Sequence, residues 1–375
     1  MADASTTTTV AYIYKRRYSD RQVAEVAMRE HPTFYEIAKE QAFDGSSFNY
    51  PVTYQNPQGV SALFADALAN AAPLKGVAFS ATPITKYGVI TLDGPSMLRA
   101  RGNKGSFYDF VTRHTDGVLE QVGDDLAFDL FRDGNGQRGR RSSAATNVIT
   151  LTLASDVENF KIGMTVAASA NADGSSPRTG TTTVAGLSRS AGTVTLTDAS
   201  AITSFTNNDY LFRDGDQNGG CMDGMGDCTP LSAPTAGDSF RGVDRSVNVE
   251  ALAGSRIDNT ALYPEEAAGD LAVQIAIIGK KVTRGAVYPT VFQGIVKRLG
   301  AKVEYNSPGG AADIGFESLM IHTAGGAVKL MSDPDIKPTE LRLWRPNAHC
   351  MKHIDEMVHL IRDGGLQAAM KSTET

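Results

Sequence analysis

The sequence predicts an α+β fold with one long helix, a separate all-β module and a C-terminal layer of alternating helices and strands. Residues 106–133 repeat apolar side chains every three or four positions, which is the period of an amphipathic helix. Residues 142–212 are rich in Thr, Ser, Ala, Gly and Val in short alternating runs, which is typical of strands joined by tight turns. Beyond residue 264, helical and strand patterns alternate, and this predicts an α/β layer.

The composition indicates a globular chain without a general affinity for polyanions. Of 375 residues, 41% are hydrophobic, enough for a sizeable core, and the net charge of −6 provides no basic field over the whole surface. The three cysteines, Cys221, Cys228 and Cys350, are an odd number without a Cys-x-x-Cys pair, so we expect reduced thiols and synthesis in a cytoplasm. We find neither a signal-peptide pattern nor a run of about eighteen apolar residues, so we expect no membrane segment.

The N-terminal part predicts an arm followed by an extended hairpin. Residues 1–73 contain short helical patterns separated by breakers, such as the Ala-rich stretch Ser61–Ala72, and short helices of this kind need a partner to lie on. Residues 74–104 are predicted as the hairpin, because Lys75–Leu92 is β-rich and Asp93-Gly94-Pro95 can close it as a turn.

The long helix is predicted within residues 105–141. Ser106 and Asp109 have the spacing of a capping box at its start. Acidic residues, among them Asp125 and Asp129, fall mostly off the apolar stripe. The predicted stripe consists of Phe107, Phe110, Val111, His114, Val118, Val122, Leu126 and Leu130.

The β module at 142–212 is predicted to be inserted into another domain. Leu130-Phe131-Arg132-Asp133-Gly134 precedes it and Leu211-Phe212-Arg213-Asp214-Gly215 follows it, so the chain is expected to enter and leave through similar glycine-terminated turns.

The C-terminal half predicts three further segments. Residues 213–268 return to the interrupted domain, residues 269–345 form the α/β layer, and residues 346–375 supply final strands. In and beside the layer, helices are predicted at Glu265–Lys281 and Tyr288–Leu299, and strands at Leu319–Ile321, Ala327–Met331 and Leu341–Trp344.

One short motif contains residue types that bind metal ions. Asp214, Asp216 and Asn218 followed by Gly219 match the opening of a calcium-binding loop. The twelfth position of that loop would be Met225, which cannot supply the expected carboxylate, so a solvated turn is the alternative interpretation. No metal and no cofactor is therefore predicted.

A second cluster, His349, Cys350, His353 and His359, has ligand types that suit zinc. On a strand, Cys350 would point away from His349 and His353, so converging ligands are not expected. Asp333-Pro334-Asp335 places two carboxylates together, but the tripeptide is typical of a turn. Neither a phosphate-binding loop nor a nucleophile elbow is found, and no catalytic residue is predicted.

Two basic clusters are candidate contacts to phosphate or to acidic groups of a neighbour. They are Lys15-Arg16-Arg17 and the group formed by Arg138, Arg140 and Arg141.

Local motifs add to these patterns. They are Lys86-Tyr87-Gly88-Val89, Gly105-Ser106-Phe107, Asn159 to Met164, Asp238 to Ser246, Tyr288-Pro289-Thr290, Gly326 to Leu330 and Asp333-Pro334-Asp335. Together the patterns and motifs resemble the Hong Kong ninety-seven fold of tailed-bacteriophage major capsid proteins, in the branch with an inserted β module. The block from Gly325 to Gly365 is the tightest match, and the similarity covers most of residues 75–365.

The resemblance implies an N-terminal arm, an extended hairpin (E-loop), a spine helix in a peripheral domain and an axial α/β domain. It also implies hexamers and pentamers of the chain in an icosahedral shell that encloses double-stranded DNA. We expect a separate scaffolding protein, a portal and a possible decoration protein, in a virion assembled in the host cytoplasm. Expected contacts between subunits are Phe79, Lys86, Tyr87, Val89, Lys15, Arg16 and Arg17, and possible DNA-side residues are Arg138, Arg140 and Arg141.

Two alternatives remain at this point. One is an encapsulin-like bacterial compartment shell of the same fold, which particle size and nucleic-acid content would separate from a phage head. The other is a metal-dependent β-rich enzyme or adhesin, for which a stoichiometric ion in the purified protein would be the sign.

Overall fold

A computed structural model describes most of the chain. The described residues are 31–41, 46–89, 104–198, 204–258, 262–299, 305–306, 318–346 and 348–353. They combine helices and strands, which confirms the predicted mixture of α and β structure. Among them, no helix is long and apolar enough to cross a membrane.

The described residues form the following helices and strands. The helices are α1 (Pro32–Glu36), α2 (Phe64–Ala69), α3 (Lys104–Phe131), α4 (Met225–Cys228), α5 (Val249–Ala253), α6 (Pro264–Ile277) and α7 (Pro289–Leu299). The strands are β1 (Ala38–Gln41), β2 (Phe48–Gln55), β3 (Lys75–Ala81), β4 (Gln137–Ala145), β5 (Val148–Leu151), β6 (Thr165–Ser169), β7 (Thr182–Ser188), β8 (Thr193–Leu196), β9 (Tyr210–Arg213), β10 (Ser239–Phe240), β11 (Val243–Asp244), β12 (Arg284–Val287), β13 (Tyr305–Asn306), β14 (Ser318–Thr323), β15 (Gly326–Ser332), β16 (Leu341–Trp344) and β17 (Cys350–His353).

The chain divides into two units. The first contains the described residues among 1–44, 85–127 and 350–375, and the second those among 45–84 and 128–349. In the first unit β1 runs parallel to β17, with Ala38 opposite Cys350. The buried His31 lies before α1, and its Nε2 is 3.2 Å from a carboxylate oxygen of Asp124 on α3. Distant parts of the chain thus form this unit.

The long helix α3 has nearly the predicted length, but its buried face in the first unit is not the predicted one. Thr115, Leu119, Gly123 and Ala127 are buried at four-residue spacing, whereas the predicted neighbours His114, Val118, Val122 and Leu126 are exposed or half-buried. Small side chains allow a neighbouring segment to approach the helix closely. The stripe was predicted from the spacing of large apolar residues, so it missed the small buried ones.

A second correction concerns the end of α3, which belongs to the second unit. Phe128 to Phe131 are all buried, so this last turn has no solvent face. Asp129 is therefore fully buried, and Asp125 just before it is only 6% exposed, although charge patterning placed both off the buried stripe.

The predicted bounds of the hairpin, 74–104, are wrong. Its first strand lies within residues 1–73, which were predicted to be the arm. Strand β3 pairs antiparallel with the preceding strand β2, from Phe48 opposite Ala81 to Gln55 opposite Lys75. Residues 82–89 have no regular secondary structure, and the predicted turn at 93–95 lies outside the described residues. The spacing of apolar residues locates a strand but not its partner, and Pro51 inside β2 weakens the strand signal there.

The β segment forms a closed six-stranded barrel in the order β4-β5-β8-β7-β6-β9. Its first and last strands pair with each other, with Gln137 opposite Phe212, so the chain enters and leaves at one place. The predicted glycine turns are present, since Gly134 has φ 74° and Gly215 has φ 93°. Apolar side chains fill the interior, among them Ile149, Phe160, Val166, Val194, Leu196 and Leu211.

The C-terminal layer is a five-stranded sheet in the order β13-β14-β15-β12-β16. Strand β12 runs parallel to β15 and antiparallel to β16. Side chains of α6, α7 and one sheet face share a core that includes Ala272, Val287, Phe292, Ile295, Leu319, Val328 and Leu330. The helices and strands predicted here are present, with α6 ending at Ile277 instead of Lys281.

Replacing Gly88 by Ala should destabilise the first unit. A Cβ atom at this position would lie 2.7 Å from Val118 Cγ1 and 3.0 Å from Val122 Cγ2 of α3, so the packed valines would have to move. The matched control is Gly117→Ala on the same helix, where a Cβ atom meets nothing within 4 Å. The control should stabilise the chain by about 0.5–1 kcal/mol. Denaturant unfolding of both variants measures the difference, and a neutral Gly88→Ala would contradict the packing.

Candidate interaction surface

The loop between β2 and β3, residues 56–74, is exposed along nearly its whole length and has a structure of its own. We call it the hairpin tip. Gln58 and Ala72 exchange two backbone hydrogen bonds of 3.0 and 3.2 Å, which close the tip at its base. Gly59 has φ 123°, and a Cβ there would lie 3.0 Å from the carbonyl oxygen of Ala67. The tip is therefore shaped by backbone contacts and not by a core.

The apolar side chains of the hairpin tip face solvent. Helix α2, which lies within it, has no buried residue. Asp66 is the single charged residue of the tip sequence. The exposed fractions are Val60 99%, Leu63 65%, Phe64 82%, Leu68 67% and Leu74 56%. A contiguous chain segment of this character is typical of a protein–protein contact.

The base of the hairpin is packed into the second unit, and this overturns one predicted contact between subunits. Phe79 is only 3% exposed. Its ring stacks on Tyr50 with centroids 5.2 Å apart and contacts Phe240 at 6.0 Å. The prediction treated Phe79 as part of an exposed ribbon, but the inward face of β3 is covered by β10 and β11.

The other residues that were predicted to contact a neighbouring subunit differ in their exposure. Tyr87 and Val89 are about three-quarters exposed on the first unit, and Lys86 is half-buried. Lys15, Arg16 and Arg17 lie outside the described residues. Tyr87 and Val89 are therefore exposed, and they belong to a different unit from the hairpin tip.

The predicted DNA-side arginines are engaged within the chain. Arg138 is 4% exposed, so its assignment to a DNA-facing surface is wrong. Its guanidinium donates to the Asn159 carbonyl at 3.1 Å and pairs with Asp216 at 3.3 Å. Arg140 and Arg141 are half-buried and donate to the carbonyl oxygens of Asn208 and Phe205. The cluster looks basic in sequence because its partners are distant along the chain.

The candidate calcium residues do not converge. Asp216 is buried against Arg138, whereas Asp214 and Asn218 are exposed. A guanidinium already neutralises the carboxylate that the cation would need. Within the described part of the chain, no group of three or more His, Cys, Asp or Glu side chains is arranged to hold a metal.

The remaining chemical candidates do not form a metal cluster within the described residues either. His349 belongs to the second unit, Cys350 and His353 lie on β17 in the first, and His359 is outside the described residues. Asp333 is fully buried and accepts a hydrogen bond of 2.9 Å from the backbone of Asp335, which is the predicted turn.

Two titratable groups of the second unit are shifted by burial. Burial raises the pKa of Asp227 to about 6, the nearby Asp223 carboxylate adds to this, and Arg245 at 3.8 Å opposes it. Burial lowers the pKa of His349 to about 4, with a smaller contribution from Arg342. Both shifts disfavour the charged form in the folded state.

Comparisons with protein-family models, curated proteins and solved structures found no match for this chain.

Replacing Asp227 by Asn should flatten the pH dependence of stability between about pH 4 and pH 6. In this range the folded state holds a proton that the unfolded carboxyl, with its pKa of 3.8, has already released. The wild-type chain therefore loses stability as the pH rises through the window. The variant lacks this loss, so it should be the more stable protein above pH 6 and similar to wild type near pH 4. Denaturant unfolding at a series of pH values measures both slopes.

His349→Gln is the matched comparison, because its effect has the opposite sign. The folded state lowers the pKa of His349 from 6.5 to about 4, so wild-type stability falls as the pH drops through this range. The glutamine variant should lose less stability in acid. An unchanged slope in the Asp227→Asn protein would contradict the assignment of that carboxyl.

Proposed function

We propose that the chain is the major capsid protein of a tailed bacteriophage, a subunit that assembles with copies of itself into an icosahedral shell around double-stranded DNA. The observation that carries the proposal is the hairpin tip, a segment whose large apolar side chains are not covered by the part of the chain that the structure describes.

The energetics of the tip favour association with another folded chain. Fully burying one large apolar side chain contributes about 1.5–3 kcal/mol. Val60, Leu63, Phe64, Leu68 and Leu74 are each more than half exposed. Such contacts, repeated around a closed shell, give a stable particle even when each is weak.

The sequence resemblance supplies the assignment of the other parts. Under this proposal the β2–β3 hairpin is the extended hairpin of the Hong Kong ninety-seven fold, at residues 48–81 in place of the predicted 74–104. Helix α3 is the spine helix, the sheet with α6 and α7 is the axial domain, and the six-stranded barrel is the β insertion.

The charge distribution supports containment of DNA without tight binding. The net charge is −6, and Arg138, Arg140 and Arg141 are occupied by contacts within the chain. A strongly basic wall would hold DNA by counterion release and would resist its exit. We further propose a separate scaffolding protein, a portal and a decoration protein as partners, and the virion as the location.

Removing the apolar side chains of the tip should abolish assembly without unfolding the chain. In the double variant Phe64→Ser with Leu68→Ser, both substituted positions are exposed, at 82% and 67%. We expect a folded, non-assembling species in sedimentation velocity and electron microscopy, with a thermal midpoint close to that of the wild type.

The matched control is Leu231→Ser with Val247→Ser, two positions that are 63% and 64% exposed elsewhere in the second unit. This double variant should still form particles. Normal particles from the tip variant would contradict the role of the tip. Small particles without nucleic acid, recovered from the native cells, would contradict the phage-head proposal and would support a bacterial compartment shell.

A further inference from the structure

The turn between β10 and β11 contains an unusual residue. Arg241 and Gly242 occupy its two central positions, with φ of 49° and 82°. Two consecutive positive φ values are typical of the mirror-image turns that favour Asn-Gly. Arginine in this conformation costs about 1–2 kcal/mol. A strained residue of this kind persists where its surroundings require it.

The side chain of Arg241 joins two distant parts of the second unit. Nε lies 3.0 Å from a carboxylate oxygen of Asp223, and Nη1 donates to the Tyr50 hydroxyl at 3.1 Å. The backbone carbonyl of Arg241 also accepts a hydrogen bond of 3.1 Å from Ser80. Tyr50 lies on β2 and Ser80 on β3, so one residue contacts both strands of the hairpin.

The partners of Arg241 are themselves held in place. Asp223 forms an antiparallel bridge with Asp133, directly after the end of α3, and approaches Gly134 so closely that a Cβ there would lie 2.7 Å from its carboxylate. The Phe240 ring lies within 4.8 Å of the Arg241 guanidinium and 4.3 Å of the Arg245 guanidinium. Arg241 therefore connects the hairpin to Asp223, which is held in place by its contacts with Asp133 and Gly134.

We infer that Arg241 is a positioning residue that sets the orientation of the β2–β3 hairpin, and hence of its tip, relative to the rest of the second unit. The strained turn is kept because a long guanidinium reaches Tyr50 and Asp223 together. The inference goes beyond the proposed function and holds whatever the tip binds. Asn248, which donates to the Tyr54 carbonyl at 3.2 Å, anchors β2 at a second point, so loss of Arg241 loosens the hairpin without detaching it.

The variant Arg241→Asn separates the role of the side chain from that of the turn. Asparagine suits the turn, so the backbone contact to Ser80 is retained while the contacts to Tyr50 and Asp223 are lost. We expect an unchanged or raised thermal midpoint together with amide exchange in β2 and β3 that is about tenfold faster, as loss of a charged hydrogen bond predicts. Exchange in the barrel strands should stay constant. If exchange in β2 and β3 is unchanged or slower, Arg241 is only a turn residue and the inference is wrong.

Tyr50→Phe tests the same contact from the hairpin side, because it removes only the hydroxyl. It should produce part of the increase in exchange, and no further increase in the Arg241→Asn background, since both changes break one interaction. Additive effects would overturn the inference. Arg189→Asn is the control, because it removes an exposed guanidinium that pairs with Glu158 at 2.7 Å on the barrel. Exchange in the hairpin should not respond to it, and an equal response would also overturn the inference.

Discussion

The second unit depends on a buried stack of two arginines on one phenylalanine. The guanidinium carbons of Arg132 and Arg138 lie 4.4 and 4.5 Å from the centre of the Phe128 ring. Phe128 is in the last turn of α3, Arg132 directly follows that helix, and Arg138 is in the first strand of the barrel. Both guanidinium groups are buried, so they are costly unless opposite charge and hydrogen bonds surround them. The end of α3, the barrel and the residues beside the sheet must therefore be correctly positioned with respect to one another at this stack.

The compensating groups come from several elements. Arg138 is paired with Asp216, which follows the barrel, and both arginines donate to Asn159 at the end of the short 3-10 helix between β5 and β6. Burial lowers the pKa of Arg132, and the carboxylates of Asp156, Glu340 and Asp335 oppose that shift. Each apolar core is local to its own part, as in the barrel and beneath the sheet. The charged contacts thus specify how these parts join, which apolar packing alone would leave less defined.

The hairpin is stabilised by different contacts at its base and at its tip. Its base is packed by aromatic stacking and by Arg241, whereas its tip is ordered by its own backbone and leaves its large apolar side chains in water. Exposure of this kind is a liability for a chain that stays alone, because it invites association. It suits a chain whose final state is an assembly, and the fixed base then determines where the tip is presented.

The sequence by itself determined the elements that follow from local periodicity and from glycine. The helix at 104–131, the barrel strands β5, β7 and β8, α6, α7 and the glycine turns at Gly134 and Gly215 are of this kind, because side-chain spacing and backbone freedom are properties of neighbouring residues. Only the tertiary structure decided the partner of β3, the buried face of α3 and the burial of Phe79 and Arg138, because each depends on residues far away in the chain. The repeated pentapeptide illustrates the limit. Leu130-Phe131 ends a helix while Leu211-Phe212 lies in a strand, since the surrounding packing, and not the local sequence, selects between the two conformations.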